Sequence, residues 1–481
     1  MAFVGDTLER HARLRANDEA VVCGKTRVSW QDLLDETCRV EEALARHEQP
    51  QARIGISTRE PFDAICLVLA VARSGRVAVV ADPATARFPA EELAASLSFR
   101  FWSLAEIGTR ADSPGPCRNA LAPVDPSGKR PEPPDPFYIG LTSGSTGQAK
   151  AFQRSHASWL TSFAACEAAF SLSRDDRIAV PGSLSHSLHL FGAVHALHMG
   201  ARLDLSAVFR PRSVLQAMVS AGSTVLYATP TQLDLLVRAA RGAKMHLPDV
   251  KRVLLSGAKW HSDGGPPADV FPAARFHEFY GTSETSFIST RGPQDPASSV
   301  GRPFPGVEVD IRDVAGRSLS TGEAGLIHVA SAMIFDRYVH GGDPDTRRDG
   351  KWLSVGDWGF LDEGGRLHLL GRGSRMLVCA GVNVFAEEIE AVLLAHGAVA
   401  ACAVFGRPDP LRGQRIVAAI RATDGAEAPA PDLLRRHCLA HLDPIKVPRR
   451  FHVMQDWPLT GGGKPDLVVL AQRVAELEAV A

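Results

Sequence analysis

With 481 residues, 45% hydrophobic and 22% charged, the chain has enough apolar material for two or more packed domains, so disorder is not the default reading. A formal net charge of -1 lacks the electrostatic footprint that nucleic acid or an anionic membrane surface requires, and neither is expected as a partner. The eight cysteines (23, 38, 66, 117, 166, 379, 402 and 438) form no CxxC pair, which argues against a zinc site or a disulfide framework and suits a reducing cytoplasm.

The N-terminus reaches acidic and basic side chains before any apolar stretch develops, so no signal peptide is expected. From Val28 to His47, the residues Leu33, Leu34, Val40 and Leu44 share one face at helical spacing. Arg53-Ile-Gly-Ile-Ser and Val77-Ala-Val-Val-Ala read as short buried strands, and their alternation with helices predicts an α/β fold. The longest apolar run, Ala64 to Ala72, falls well short of the roughly 20 residues that span a bilayer, so no integral membrane association is expected. Eight prolines from Ser113 to Pro136 predict an extended connection rather than a helix or internal strand.

That connection leads into Tyr138-Ile-Gly-Leu-Thr-Ser-Gly-Ser-Thr-Gly-Gln-Ala-Lys150. Gly140, Gly144 and Gly147 permit tight turns that bring backbone N–H groups against a polyphosphate, while Thr142, Ser143, Ser145 and Thr146 add hydroxyl donors and Lys150 a positive charge. The spacing is wrong for a Walker A loop, because Lys150 follows Gln148-Ala149 and precedes Ala151. Further along, His186, His189, His195 and His198 suggest a metal, but on one helix the later pair lies largely opposite the earlier one, so the four rings do not converge.

Leu353 to Leu370 reads as a β-hairpin turning at Asp362-Glu363-Gly364-Gly365. A domain boundary follows near Gly371-Arg372-Gly373-Ser374, dividing a large domain, 1–372, from a small one, 373–481. In the small domain Val399 to Phe405 and Ile416 to Ile420 read as strands, Ala386 to Leu394 and Asp432 to His441 as helices.

Four segments stand out in order: the Gly/Ser/Thr loop, Phe279-Tyr280-Gly281-Thr282-Ser283-Glu284-Thr285, Ser354-Val-Gly-Asp357 with Gly371-Arg372, and Pro458-Leu-Thr-Gly-Gly-Gly-Lys464-Pro-Asp466. In order and content this set resembles the acyl-adenylate-forming superfamily, which includes acyl-CoA and aryl-CoA synthetases, luciferases and the adenylation domains of peptide synthetases. The likeness runs from about Thr7 to Leu470 and takes in Ser256-Gly257-Ala258, Val300-Gly-Arg-Pro303 and Gly381-Val-Asn-Val-Phe-Ala-Glu-Glu-Ile-Glu390. It implies a large N-terminal domain of parallel and mixed sheets flanked by helices, and a small mobile α+β C-terminal domain.

The reaction so implied joins a carboxylate to the α-phosphate of ATP, expels pyrophosphate and passes the acyl group from acyl-AMP to a thiol. By resemblance, Thr142, Ser143, Gly144, Ser145, Thr146, Gly147 and Lys150 hold the β- and γ-phosphates, and Glu284 helps hold Mg²⁺. Tyr280 stacks on adenine with Ser256, Gly257 and Ala258 opposite, and Gly281, Thr282 and Ser283 complete that segment. Asp357 accepts hydrogen bonds from the ribose hydroxyls, supported by Arg372. Lys464 bridges the acid and the α-phosphate as charge builds, and His186 is the second candidate catalytic group.

His186, Ala228 and Thr282 are the expected acid pocket, and His186 stands where amino-acid-activating members carry an aspartate, so a fatty or aromatic acid is expected rather than an α-amino acid. Ser374 takes the hinge position, normally Asp or Lys, and Gly381 is expected to line the thiol tunnel. Ala380 and Ala386 replace a glycine and a proline common in the superfamily, departures that bear on the acceptor step more than on adenylation. Coenzyme A is the expected acceptor. Delivery to the phosphopantetheine of a carrier protein, or to an amine, is the alternative within the superfamily, and a non-catalytic nucleotide-binding protein or a kinase-like phosphotransferase is the alternative outside it.

Overall fold

A computed structural model describes residues 2–49, 51–82, 90–104, 130–143, 149–260, 265–292, 294–423, 429–459 and 465–480. Among them the strands form four sheets. The largest runs, in spatial order, through Arg302–Pro303, Ser286–Arg291, Arg275–Thr282, Arg252–Leu255, Val225–Ala228, Arg177–Val180, Arg202–Leu205, Glu19–Cys23 and Thr26–Ser29. Its middle is parallel and both edges antiparallel. A second sheet sets Arg53–Ile56, Val77–Val80 and Pro136–Ser143 parallel, then closes antiparallel through Ala149–Ser155 and Arg337–His340. The carboxyl ends of parallel strands are where open α/β sheets place their ligands. Here those ends carry Ser57, Thr142, Thr229, Ser256 and Thr282 to one cleft.

The crossovers are helices with ordinary causes. Trp30–His47 begins at Ser29, whose side chain accepts from the Asp32 N–H at 3.1 Å, and it buries Leu33, Leu34, Val40 and Leu44. Burial of one such leucine contributes about 1.5–3 kcal/mol. The apolar run of the sequence lies within the helix Pro61–Arg73, buried continuously from Ala64 to Arg73. No helix among the described residues is long and apolar enough to cross a membrane.

A third, antiparallel sheet contains the hairpin, but with bounds narrower than its sequence suggests. Asp357–Leu361 pairs with Leu367–Arg372, while Trp352–Ser354 is a separate strand held between Arg347–Asp349 and Gly325–Ala330. After Arg372 the chain makes a short 3₁₀ turn, Gly373–Arg375, and enters a sheet of Val382–Phe385, Met376–Cys379, Gly413–Ala422, Val399–Asp409 and Arg450–Val453. Helix Ala386–Leu394 covers it through Ala386, Ile389 and Leu393, a spacing of three and four residues. Both strands run beyond the apolar runs that mark them, because their ends pair through polar residues such as Arg407 with Arg415. The apolar clusters divide between Leu367 and Leu377. The proline-rich connection falls mostly outside the described residues.

Candidate functional site

A cleft of about 1950 Å³ is lined by residues from both parts of the chain. Single-ligand pockets are commonly about 300–1,000 Å³, so this one has room for more than one substrate.

One half is polar and internally paired. Asp357 opens its strand directly opposite Arg372, whose Nε donates to Oδ1 at 3.0 Å. The Tyr280 hydroxyl, arriving from Arg275–Thr282, donates to Oδ2. Asp357 is only 3% exposed. Burial pushes its carboxyl up from the ordinary range, against the pull of Arg372 and Tyr280. Tyr280 is held well above its usual value by burial and by that carboxylate. Each Asp357 oxygen keeps a lone pair, so two further donors can be accepted.

After Tyr280 the chain turns sharply. A Cβ on Gly281 would sit 1.8 Å from the Ser286 carbonyl oxygen, so glycine is required there. Thr282 Oγ1 accepts from the N–H groups of Glu284 and Thr285 at 3.3 and 3.2 Å, which projects Glu284 toward the cleft. Glu284 Oε1 accepts from the Tyr338 hydroxyl at 2.7 Å. Beneath the turn Arg154, 3% exposed, donates to the carbonyls of Ser283 at 3.2 Å and Met333 at 2.7 Å. Burial lowers its pKa to about 10. Lys150, opposite Thr142 in the strand register, is buried and ion-paired with Asp343. Ser256, Gly257 and Ala258 line the cleft beyond Arg252–Leu255, with Gly257 at φ +94°.

Another region of the lining is largely aromatic. Trp159, Phe191 and Phe287 form a chain of ring contacts 5.5 and 5.3 Å apart, with Tyr138 beside Trp159 at 5.3 Å. His186 caps the helix Ser187–Met199 at the pocket, and His189 follows within it. Gln232 Oε1 accepts from the Thr229 N–H at 3.0 Å and lies 3.1 Å from His189 Nε2, which assigns the imidazole proton to Nε2. Burial lowers the His189 pKa to about 4, with His186 adding to the effect, so the ring is neutral at pH 7. His195 instead stacks on Phe163 at 4.9 Å and meets Glu167 at 3.2 Å, while the His198 carbonyl meets His11. The first two rings thus line the cleft while the last two lie against Phe163, so the four do not converge.

The structure brings Thr142, Lys150, His186, Ser256, Gly257, Ala258, Tyr280, Gly281, Thr282, Ser283, Glu284, Asp357 and Arg372 to this one cleft. Ala228 is placed elsewhere. It packs with Val214, Leu215 and Leu233 in a core cluster, and Thr229, one residue on, faces the cleft. Successive strand side chains point to opposite sides, so the expected pocket position is off by one. Ser374 is exposed in the 3₁₀ turn that follows Arg372. Gly381 sits at the exposed tip of the hairpin Met376–Cys379/Val382–Phe385, with open space where a Cβ would lie, and it is not among the residues lining the cleft.

Gly144, Ser145, Thr146, Gly147 and Lys464 lie outside the described residues, as does the Ser143 side chain. The neighbours of Lys464 are described: Leu459 and Pro465 pair as an isolated bridge, and both line the cleft with Asp466. Sequence reasoning missed Arg154, Tyr338 and Asp343. Arg154 had one signal, its place in a strand four residues after Lys150, whereas Tyr338 and Asp343 meet their partners only through the fold.

Residues 102–339 match the family model described as AMP-binding enzyme, and residues 388–464 that described as AMP-binding enzyme C-terminal domain. An uncharacterized acyl–CoA ligase of Bacillus subtilis, YhfT, is 38% identical over 355 residues, 72% of this chain and 71% of that protein. VraA of Staphylococcus epidermidis, a putative long chain fatty acid–CoA ligase, is 32% identical over 285 residues, 59% of this chain and 60% of that one. Among solved structures, the amide bond synthetase McbA from Marinactinospora thermotolerans superposes with a TM-score of 0.81 at 27% identity, covering 98% of this chain and 99% of that one.

Proposed function

Because the chain belongs to the family of AMP-binding enzymes, we propose that it activates a fatty or aromatic carboxylic acid with ATP, releases pyrophosphate, and transfers the acyl group from acyl-AMP to the thiol of coenzyme A. The observation that carries this reading is the buried Asp357 carboxylate, held by both Tyr280 and Arg372, in one cleft with Glu284 and the two flanks of Lys464. A ribose needs an acceptor with spare lone pairs, a triphosphate needs cations, and the developing charge needs a mobile ammonium. Asp357, Lys150 and the described neighbours of Lys464 reach this cleft from separate elements, which supports the reading.

In this reading Tyr280 and Ser256–Ala258 flank adenine, Thr142 and the following loop take the outer phosphates with Lys150, and Lys464 acts on the α-phosphate. A divalent metal fits the residues present. Glu284 keeps one oxygen beyond the one Tyr338 occupies, and Mg²⁺ is commonly held by one or two carboxylates with the substrate's phosphates. Such a metal would offset the phosphates' negative charge. The aromatic lining and the neutral His189 suit an apolar acid, and Ser185, His186, Ser187 and His189 offer no carboxylate to a substrate ammonium. Gly381 reaches the thiol's path only if the C-terminal domain turns about Ser374, since in this arrangement it lies outside the cleft.

ATP–pyrophosphate exchange across a panel of acids, with thioester formation followed on adding coenzyme A, is the test. Acid-dependent exchange is expected, and ADP release without exchange would sink the reading in favour of a phosphotransferase. An amine acceptor is the second reading, favoured by the match to an amide bond synthetase over nearly the whole chain. Amide product formed in preference to thioester would select it.

A further inference from the structure

The segment between the strands Arg337–His340 and Arg347–Asp349 touches three anchors of the polar half at once. Its Asp343 carboxylate holds the buried Lys150 ammonium. The Tyr338 hydroxyl donates to Glu284 at 2.7 Å and lies 3.3 Å from Thr346 Oγ1. Asp345 packs so closely on Gly356 that a Cβ there would sit 2.5 Å from its own, one residue before Asp357.

Resting on the reading that this cleft takes ATP, we propose that Asp343 stands in for the nucleotide's outer phosphates, holding Lys150 until they arrive and competing with them for its ammonium. Lys150 is 5% exposed, so its charge needs an anion at close range, and Asp343 provides that anion from 193 residues away in sequence. Both side chains line the cleft, and Lys150 follows directly on the loop that resembles a phosphate grip. A polyphosphate gripped there meets Asp343 as a like charge, and Lys150 then exchanges one anion for another. The exchange is local because the segment is self-closed. Asp343 Oδ1 accepts from the Asp345 N–H at 3.1 Å, its carbonyl accepts from the Thr346 N–H at 2.9 Å, and Gly341 turns at φ +63°. The same segment transmits the exchange to Glu284 through Tyr338 and to the Asp357 strand through Asp345. Asp343 is therefore a positioning residue, weakening the grip on ATP and easing the departure of pyrophosphate.

Calorimetric titration of the full chain with ATP, with inorganic pyrophosphate and with AMP, each in magnesium buffer, tests this. Asp343→Asn is expected to bind ATP and pyrophosphate about tenfold tighter, the order of one relieved like-charge contact screened nearly as in bulk water, while AMP affinity stays where it was. Asp343→Glu, which keeps the charge, is expected to restore the weaker binding. Should Asp343→Asn fail to fold because Lys150 is left unpaired, Asp343→Ser provides a second neutral variant with an acceptor oxygen. Unchanged or weaker ATP and pyrophosphate binding in a folded neutral variant overturns the proposal, as does an equal gain for AMP, which lacks the outer phosphates. Failure of the unsubstituted chain to bind ATP would sink the nucleotide reading itself, and the proposal with it.

Discussion

The two walls of the cleft satisfy their charges in different ways. On the large-domain wall, Asp357 pairs with Arg372 across a hairpin and accepts from Tyr280 of another sheet, Glu284 accepts from Tyr338, and Lys150 pairs with Asp343 from a remote segment. On the small-domain wall the ion pairs close within the domain, with Arg375 forked onto Glu387 and Glu390 and Lys446 on Glu388. No ion pair among the described residues crosses between Arg372 and Gly373. What crosses is slight: the Gly373 N–H donates to the Gly356 carbonyl at 2.8 Å, the Trp358 and Phe385 rings lie 5.9 Å apart, and the bare Gly371 backbone packs against the Glu387 carboxylate. A seam of that kind can be broken and remade without stranding a charge, whereas pulling one partner from a buried pair costs about 3–5 kcal/mol. The difference fits the proposed reading, in which the first wall holds nucleotide and the second turns.

The largest expected effect comes from the turning wall. In the proposed reaction Lys464→Ala removes a charge needed only as adenylation proceeds, and ATP–pyrophosphate exchange is expected to fall about 10²–10³-fold while thiolysis of supplied acyl-AMP is retained. Equal loss of both half-reactions would break the division between the walls. On the fixed wall Asp357→Asn leaves Tyr280 and Arg372 without their ionised partner. ATP binding is expected to weaken about 10–100-fold, as for loss of a charge-assisted hydrogen bond, with the acid's KM unchanged. A smaller effect is expected at the join, where Ser374→Pro stiffens the backbone. Thioester formation should drop about tenfold with little change in exchange, and an unchanged overall rate would show that the turn is made elsewhere.

Legibility follows the same division. The helix Ala386–Leu394 and the hairpin Asp357–Leu361/Leu367–Arg372 were readable because periodicity and turn residues are local. Tyr280, Glu284, Asp357 and Arg372 were readable because each lies in a short segment of characteristic order. Asp343 and Tyr338 were not, since a lone acidic or aromatic residue says nothing of a partner 193 or 54 residues away. Ala228 was misplaced for another reason: Val225–Ala228 is buried along its whole length, so no alternation of polar and apolar residues tells which side faces the cleft.

The large domain also buries histidines in neutral form, which gives it an acid sensitivity of its own. His156 accepts from the Val4 N–H at 3.0 Å and stacks on Phe137 at 4.8 Å. Burial lowers it, like His189 and His198, from 6.5 to about 4. Below pH 6.5 the unfolded chain takes up protons that the folded chain refuses until about pH 4. Stability is therefore full above pH 6.5 and falls across that window, by about 3 kcal/mol or less per histidine. His156→Gln is expected to flatten the dependence of Tm on pH, and an unchanged slope would mean that the acid response arises elsewhere.

The smallest effect tests whether the tip of the turning wall carries strain. Ala380 and Gly381 join Met376–Cys379 to Val382–Phe385 at φ +49° and +80°, the left-handed pair that a two-residue hairpin turn requires. Glycine adopts that conformation freely, while alanine there costs about 1–2 kcal/mol. Against this, Ala380→Gly gives the unfolded chain more freedom, worth about 0.4–1 kcal/mol. Strain outweighs entropy, so a net gain of about 0.5 kcal/mol is expected in a urea melt, since the exposed side chain at 380 has no packing to lose and its N–H still donates to the Arg412 carbonyl at 2.8 Å. Adenylation should not respond, because the tip lies outside the cleft in this arrangement. If the thiol step does respond, the tip must enter the cleft in a second arrangement, and the strain at Ala380 is then part of what sets the balance between the two.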